Sequence, residues 1–287
     1  EISCSLVGSE MCIRDRVNFG VILNKFILLF LFFLIPSFSL AETISGNVRE
    51  DNFLNKKSII IDSETEKAIE GAKVYLPNYG FKTSTDKKGR FELNANIQDK
   101  AILQVEKEGY RPFSITVDKS ITERPLKLGI QKLNASDIFV DTGVFHLGDD
   151  VYSPNSANCY QFKARPIGPY YSKKIKISKP ASNKQAVIVF GSVIGLDTKL
   201  AKELGQNAIV SVYSSPVEII FNGQKIGELN MNGDNQQIVI PNGLIRNNND
   251  LTIRTGKNLF QYNYIDYDDM EFANLRIEIR DKVFANK

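Results

Sequence analysis

The stretch Val217-Glu-Ile-Ile-Phe-Asn-Gly-Gln-Lys-Ile-Gly-Glu-Leu229 decides the fold class of this chain. Two runs rich in β-formers flank Asn222-Gly223, and both of these residues tolerate the positive φ angles of a tight hairpin turn. Further turn signals follow at Pro241-Asn-Gly243 and at 247–250. Short strands between such turns are typical of β-sandwiches, and long helical periodicity is nearly absent. The sequence therefore predicts an all-β protein.

The first 41 residues predict export. Lys25 precedes the apolar run Phe26–Ile35, and Ser39-Leu40-Ala41 supplies the small-x-small ending of a secretory signal peptide at 17–41. The alternative is an uncleaved membrane anchor, but the run is shorter than the roughly 20 residues that span a bilayer. Residues 1–16 read as a non-native tail, or else as a disordered one. We expect cleavage near Ala41 and a secreted, periplasmic or cell-surface protein.

Composition and charge exclude several classes of function. The net charge is only +3 and no basic block is present, so neither nucleic acid nor an acidic membrane surface is indicated, and membrane contact is expected only during export. One cysteine, Cys159, follows residue 41, which excludes a disulfide within the mature chain.

Catalysis has little support in the sequence. His146 is the only histidine, whereas a zinc peptidase needs at least two, and no Gly-x-Ser-x-Gly nucleophile motif is present. We therefore predict that the protein is not an enzyme. A glycosidase is the alternative, because paired carboxylates occur in any chain with 33 acidic residues.

The first block, residues 43–130, carries three motifs: Glu70-Gly71-Ala72-x-Val74, Thr85-Asp86-x-x-Gly89-x-Phe91 and Gly109-Tyr110. Gly71 and Gly89 allow turns, while Val74 and Phe91 fill a core. These motifs resemble those of the carboxypeptidase regulatory-like domain, a transthyretin-like, seven-stranded β-sandwich. The resemblance implies a structural or adhesive module. Ile44–Arg49 is expected to add an edge strand.

The second block, residues 137–282, follows a predicted linker at 131–136, so the two blocks are expected to fold independently. Its main elements are Phe145-His-Leu-Gly-Asp149-Asp150, Phe221-Asn222-Gly223-x-x-Ile226-Gly227 and Asn249-Asp-Leu-x-Ile253-Arg254. In this order they resemble a galactose-binding-like jelly-roll β-sandwich, the fold of many carbohydrate-binding modules. The resemblance implies carbohydrate as the ligand class.

Acidic residues cluster at both ends of the second block. In a jelly roll the first and last strands are often neighbours, so we expect the two clusters to converge. Calcium takes about six to eight oxygen ligands, which carboxylates and loop carbonyls supply. The sequence predicts a structural calcium site, or alternatively a solvated acidic loop, because no complete calcium-loop spacing is present. The predicted ligands are Asp149, Asp150, Asp266, Asp268 and Asp269.

Tyrosines are the candidate ligand-binding residues. Tyr152 and Tyr170 fall in the loop-rich stretch after Asp150, and Tyr267 lies near the end of the block. Sugar rings stack on flat aromatic faces, although the chain has no tryptophan, the commonest residue of such platforms. The alternative is that these tyrosines pack partly buried with a solvated hydroxyl.

The predicted function is that of an exported, non-catalytic protein that recognises carbohydrate or a cell-surface glycan through the jelly roll. The alternative is a structural or adhesion protein that assembles components of the cell surface and has no small-molecule ligand. Sugar binding predicts exposed tyrosines beside Asn and Asp, whereas the structural alternative predicts buried tyrosines and an apolar patch for a partner.

Overall fold

The computed structural model of the chain describes residues 57–122, 124–158, 161–207 and 212–282. The predicted tail, the signal peptide, the edge strand Ile44–Arg49 and Cys159 lie outside these residues. Residues Arg49–Lys287 form one compact unit, and its described part is nearly all β. No helix in those ranges is long and apolar enough to cross a membrane.

Within the described residues, seven strands form the first β-sandwich. Strands β1, β4 and β7 make one sheet in the order β4-β1-β7, and the others make a second sheet in the order β3-β2-β5-β6. Strand β2 alternates, and Val74 lies in the core as predicted, together with Leu76. The strands are β1 (Ser58–Asp62), β2 (Lys73–Leu76), β3 (Phe81–Ser84), β4 (Arg90–Phe91), β5 (Ala101–Glu106), β6 (Phe113–Val117) and β7 (Lys127–Ile130).

Two turns of the first sandwich depend on the residues that the sequence singled out. Gly89 has φ +69°, and a Cβ there would lie 2.5 Å from the Ile60 carbonyl oxygen, so only glycine fits. Tyr110 donates its hydroxyl to Asp62 Oδ2 at 3.0 Å, which ties the Gly109 turn to the end of β1.

In the part of the second sandwich that the structure describes, there are eight strands. They are β8 (Ile138–Leu147), β9 (Tyr170–Lys176), β10 (Lys184–Ile194), β11 (Val217–Phe221), β12 (Gln224–Leu229), β13 (Gly233–Ile240), β14 (Asn248–Arg254) and β15 (Met270–Asp281), with a short helix α1 (Lys199–Glu203) after β10. The sheet orders are β13-β10-β15-β8 and β12-β11-β14-β9. Two four-stranded sheets that interleave in this order make a jelly roll. Phe190, Phe221 and Phe272 are fully buried between the sheets.

The predicted hairpin is present, with Asn222 at φ 50° and Gly223 at φ 81° between the antiparallel strands β11 and β12. The segment 161–163 is irregular, and the Phe162 ring packs 4.8 Å from the His146 ring. Strand β7 pairs in parallel with β1.

The first sandwich covers one sheet of the jelly roll. Gln104 Nε2 donates to the Thr142 carbonyl at 2.6 Å, and Ser192 donates its hydroxyl to Ser114 at 3.0 Å. Ile102 packs with Ile194 and Ala273 in a small apolar cluster between the sandwiches. The other jelly-roll sheet, β12-β11-β14-β9, keeps an exposed polar face.

The predicted linker is hydrogen-bonded to the first sandwich. Arg111 N donates to the Gln131 carbonyl at 2.8 Å, and Leu133 N donates to the Gly109 carbonyl at 3.0 Å. Its last residues form a turn that ends at Asp137, whose carboxylate pairs with Arg111 at 2.5 Å. Independent folding of the two blocks stays a prediction.

Candidate functional site

Strands β8 and β15 bring the two acidic segments together. They are antiparallel neighbours, with Leu147 opposite Met270 and His146 opposite Glu271. The residues that follow β8 therefore meet the residues that precede β15. Asp150 N donates to Asp269 Oδ1 at 3.0 Å, and Tyr267 N donates to Asp149 Oδ2 at 2.8 Å.

This close approach requires glycine at position 148. Gly148 has φ +144°, and a Cβ there would clash with the carboxylate of Asp269. Asp150 has a left-handed backbone, with φ 58°, which turns the chain back toward β15. The turn thus places the backbone of 148–150 directly against Asp269.

Asp269 and His146 form a fully buried pair. Asp269 Oδ1 lies 2.8 Å from His146 Nε2, while His146 Nδ1 lies 2.6 Å from the Ala164 carbonyl. Because both ring nitrogens face acceptors, the pair is satisfied when the imidazole is protonated and donates from both. Burial lowers the pKa of His146, but the hydrogen bonds to Asp269 and Ala164 outweigh it and raise this pKa above its usual value.

Asp268 and Asp266 are held by different partners. Asp268 Oδ2 accepts hydrogen bonds from the Ser214 hydroxyl at 2.5 Å and from Asp197 N at 3.2 Å. Asp266 Oδ2 accepts from Asn258 Nδ2 at 2.7 Å and from Ala157 N at 3.0 Å. Burial raises the pKa of both carboxyls, and the charge of Asp197 raises that of Asp268 further.

This end of the jelly roll buries more acid than base. Its buried acidic residues are Asp197, Asp266, Asp268, Asp269 and Glu271, and among the described residues His146 is the only buried basic side chain. Buried charges are costly unless they are paired or bind a metal. The excess of negative charge must therefore be offset by protonation or by a cation.

Several buried oxygens in this cluster accept no hydrogen bond: Asp266 Oδ1, Asp268 Oδ1, Asp269 Oδ2 and Asn158 Oδ1. Such atoms nearly always have a partner, which is another protein group, an ordered water or an ion. The donor set, carboxylates plus one amide oxygen, has the chemistry that calcium prefers. Within the described ranges, however, no three His, Cys, Asp or Glu side chains are grouped to hold a metal ion. Backbone and amide oxygens would have to complete a coordination shell.

Two of the three predicted tyrosines lie together. Tyr170 is half exposed at the start of β9, opposite Arg254 on β14. Burial, and then the neighbouring Tyr170 hydroxyl, raises the pKa of Tyr267, whereas Arg254 lowers it. Tyr152 is 59% exposed on the loop after β8, and no hydrogen bond or ring contact among the described residues joins it to the other two.

Beside this tyrosine pair, the exposed face of β12-β11-β14-β9 carries a ladder of polar contacts. Arg254 pairs with Glu218, and Lys225 Nζ lies 3.3 Å from Glu218 Oε1. Across β9 and β14, Ser172 and Thr252 share a hydrogen bond of 3.0 Å. A ligand at the tyrosine pair would therefore lie next to charged and hydroxyl groups.

Residues 59–140 match the family model of the CarboxypepD_reg-like domain. The first sandwich is a carboxypeptidase regulatory-like domain. The match continues past residue 130, the predicted end of the first block, into β8. No curated protein matches the chain in sequence.

Three solved structures are similar to the chain at low identity. The carbohydrate-binding module CBM36 in complex with calcium and xylotriose is 12% identical, with a TM-score of 0.21, over 39% of this chain and 72% of that one. Wild-type BuGH86 in complex with neoagarooctaose is 11% identical, with a TM-score of 0.25, over 78% of this chain and 29% of that one. A candidate carbohydrate binding protein from Bacteroides uniformis is 8% identical, with a TM-score of 0.19, over 79% of this chain and 97% of that one.

At these TM-scores the likenesses carry no argument about fold or ligand. The chain spans less than a third of the BuGH86 structure. The jelly-roll assignment instead follows from the strand order of the two sheets.

The carboxypeptidase regulatory-like domain makes a direct contact with the buried acids at this end of the jelly roll, here called the carboxylate cluster: Asp197, Asp266, Asp268, Asp269 and Glu271. Its Asn78 donates from Nδ2 to Glu271 Oε1 at 2.5 Å. Burial raises the pKa of Glu271 to about 7, while the His146 charge and the Asn78 hydrogen bond oppose that rise. Sequence reasoning missed this contact, because the two residues lie far apart in the chain and neither belongs to a motif.

Sequence reasoning also missed the role of Asn258, which precedes a segment with exposed tyrosines. Asn258 is buried and bonded to Asp266, and residues 259–265 expose large side chains. The available signal was an uncharged, aromatic-rich run between Lys257 and Asp266.

Proposed function

We propose that this chain is an exported, non-catalytic protein that binds carbohydrate through its jelly roll, with Tyr170 and Tyr267 as stacking residues. One observation carries the proposal: the two tyrosines lie together beside Arg254 at the end of the exposed polar sheet face. A sugar ring offers an apolar face and a rim of hydroxyls, which match an aromatic pair and its polar neighbours. Tyr152, exposed on the loop after β8, is proposed as a third contact.

The backbone at Tyr267 is held in place before any ligand binds. Its N–H donates to Asp149, and the residue pairs with Lys257 in an isolated β-bridge. A preorganised residue loses little freedom on binding, so more of the contact energy appears as affinity.

The absence of catalysis is part of the proposal. His146 is fully buried, with both ring nitrogens bound to acceptors, so it is poorly placed to serve as a general base for a surface ligand. The acids of the cluster are also buried. The two catalytic carboxyl groups of a glycosidase, by contrast, must contact the glycosidic bond of a bound sugar.

The proposal includes a structural calcium ion. The ligands would come from Asp149, Asp150, Asp266, Asp268 and Asp269, with Asn158 adding an amide oxygen. The ion would offset the buried negative charge and fill the acceptors that lack hydrogen bonds. It would stabilise the fold rather than take part in a reaction.

A structural or adhesion protein is the second candidate. The specific observation in its favour is the exposed apolar surface at Leu259, Phe260 and Ile265, which a partner protein would cover. The exposure of Tyr152 and Tyr170 favours sugar binding instead, since the structural alternative predicts these side chains buried.

An array of immobilised glycans, probed with the calcium-loaded mature protein, tests the proposal. Tyr170→Ala or Tyr267→Ala should then weaken binding by about tenfold, equivalent to about 1.4 kcal/mol. The corresponding Phe variants keep the ring and should lose much less. Phe139→Ala, an exposed aromatic on β8, is the matched control and should change nothing. If the intact protein binds no glycan on the array, the adhesion function is the better one.

A further inference from the structure

A cleft lies between the two sandwiches. On one side it is lined by residues of β6 and β7, each the last strand in its sheet of the first sandwich, and on the other by residues of β10, β13 and β15. Its volume is about 300 Å³, the lower end of the range of ligand pockets, which occur preferentially at domain interfaces. Pro112, Phe113 and Ile115 make part of its lining apolar, and polar side chains line the rest. The cleft therefore has the size and the mixed lining of a site for one small ligand.

Arg276 on β15 brings hydrogen-bond donors into this cleft. Its side chain is only 12% exposed. Nε donates to Glu278 Oε1 at 2.7 Å and Nη2 donates to Asn235 Oδ1 at 3.3 Å, whereas Nη1 donates to no group among the described residues. A guanidinium is a planar fork of N–H donors that matches the two oxygens of a carboxylate. Arg276 thus retains donors for a ligand.

Arg111 reaches the same cleft from the first sandwich. Its guanidinium donates from Nε and Nη2 to the two carboxylate oxygens of Asp137, and from Nη1 to Gln131 Oε1 at 2.7 Å. The hydrogen bond to Asp137 raises the pKa of Arg111, burial opposes that rise, and the charge of Glu278 adds to it. Arg111 therefore lies near the carboxylate that also holds Arg276.

The charges around the cleft are unevenly distributed. Among the described residues, three guanidinium groups and two buried carboxylates lie in or beside it: Arg111, Arg276 and Arg280, with Asp137 and Glu278. A further acid, Asp234, lies on the exposed rim, where its Oδ1 accepts hydrogen bonds from the Thr116 N–H and hydroxyl. Water screens an exposed charge more than a buried one, so the inner part of the cleft has an excess of positive charge. A ligand with one negative charge matches this excess.

We propose that the cleft is a second ligand site, which binds a single sugar acid. The ligand carboxylate pairs with Arg276, its hydroxyls bond to the amide of Asn235 and the carboxylate of Asp234, and its ring carbons contact the apolar lining. A guanidinium–carboxylate pair is a strong, directional contact, and the hydroxyls can both donate and accept. Tyr170 is on β9 in one jelly-roll sheet and Arg276 on β15 in the other, so this inference does not rest on the proposed tyrosine site.

An NMR titration of the mature protein with glucuronate tests the proposal. The backbone amide resonances of three cleft residues, Gly129, Gly191 and Asn235, should shift and saturate. Glucose has a similar ring without the carboxylate, and acetate has the carboxylate without the ring. Both should bind the cleft at least about tenfold more weakly than glucuronate. An equal response to glucose or to acetate overturns the assignment to a sugar acid, and no response to glucuronate overturns the site.

Two arginine variants isolate the contact in the cleft. Arg276→Gln removes the lining guanidinium, while Glu278 stays paired with Arg280. Arg280→Gln is the matched control, because it removes the same charge from the same partner and Arg280 does not line the cleft. Arg276→Gln should weaken glucuronate binding by about tenfold or more, the effect of losing hydrogen bonds to a charged group. Arg280→Gln should change it by less than about threefold. Equal losses in the two variants overturn the contact with Arg276.

A third variant keeps the proposal testable if Arg276→Gln does not fold. Asn235 is exposed and has φ 56°, a backbone conformation that glycine adopts freely, so Asn235→Gly should fold. Losing the amide should weaken glucuronate binding by about threefold. An unchanged affinity contradicts the place of Asn235 in the site.

Tyr170→Ala separates the cleft from the tyrosine pair. It should leave glucuronate binding unchanged while it weakens glycan binding on the array. If glucuronate shifts the resonances of Tyr170 and Tyr267 and not those of the cleft residues, the cleft proposal fails and the proposed function gains support. If no glycan on the array is bound but glucuronate saturates the cleft, the proposed function fails and the cleft site stands.

Discussion

Replacing Asp268 by asparagine should remove the calcium response of the fold without unfolding it. The Asp268 side chain is fully buried, and its Oδ2 accepts hydrogen bonds from Ser214 and Asp197. An asparagine oxygen can accept the same two bonds. Its amide nitrogen replaces Oδ1, which has no partner, and can donate to a neighbouring carboxylate.

The expected change in unfolding free energy differs between EDTA and calcium chloride. In EDTA, Asp268→Asn should match or exceed wild-type stability, because it removes a buried charge and can add a hydrogen bond of about 0.5–1.5 kcal/mol. In calcium at a hundred times its dissociation constant, the wild type should gain about 2.7 kcal/mol of unfolding free energy. One kcal/mol shifts the melting temperature of a chain of about 150–250 residues by about 2–4 °C, so the wild type should gain about 5–11 °C.

Thermal melts of both proteins in calcium chloride and in EDTA measure these shifts. Glu278→Gln is the control, because Glu278 is also buried on β15 but is already paired with Arg276 and Arg280. It should lower the melting temperature in both conditions and keep the full calcium shift. The reasoning is refuted if the wild type shows no calcium shift, or if Asp268→Asn keeps the same shift as the wild type.

Three further predictions concern processing and architecture. Mass spectrometry of the exported protein should find an N-terminus at Glu42, and a mature protein that retains Phe26–Ile35 would exclude cleavage near Ala41. Limited trypsin digestion, which cuts after Lys132, should nick the linker first and leave two folded fragments; loss of both fragments at once would indicate a single merged core. Gly148→Ala should destabilise the fold by about 1–3 kcal/mol through backbone strain and displacement of Asp269, and an unchanged denaturant midpoint would contradict the close approach.

The strands were largely predictable, because each depends on a local signal, whereas the jelly-roll order was expected only from the resemblance of the second block. The alternation of β2, the Asn222-Gly223 turn and the glycine at 89 lie within a few residues of the structure they specify. The expected meeting of the two acidic segments followed from one topological rule, the adjacency of first and last strands, which β8 and β15 obey.

The rest depends on partners that are distant in sequence and polar in character. Asn258 closes a loop through a bond to Asn155, and Gln104 joins the two sandwiches through Thr142. Neither residue interrupts a periodic pattern, so nothing in the sequence marks it as special. Burial of Asp268 and Asp269 is equally hidden, since adjacent acids ordinarily indicate a solvated loop.

The carboxypeptidase regulatory-like domain contacts the acidic end of the jelly roll, so residues of both sandwiches meet there. It covers the sheet that contains β8 and β15, and Asn78 binds Glu271 beside the carboxylate cluster. The ligand proposed for the tyrosine pair would therefore reach the other sheet, where Tyr170 lies, and the loops around Tyr267. Burial also keeps water from screening the cluster, which strengthens the repulsion among its carboxylates and would strengthen its attraction for the proposed cation. The first sandwich bonds to Glu271 through Asn78, whereas Asp266 and Asp268 are held by residues of the jelly roll itself.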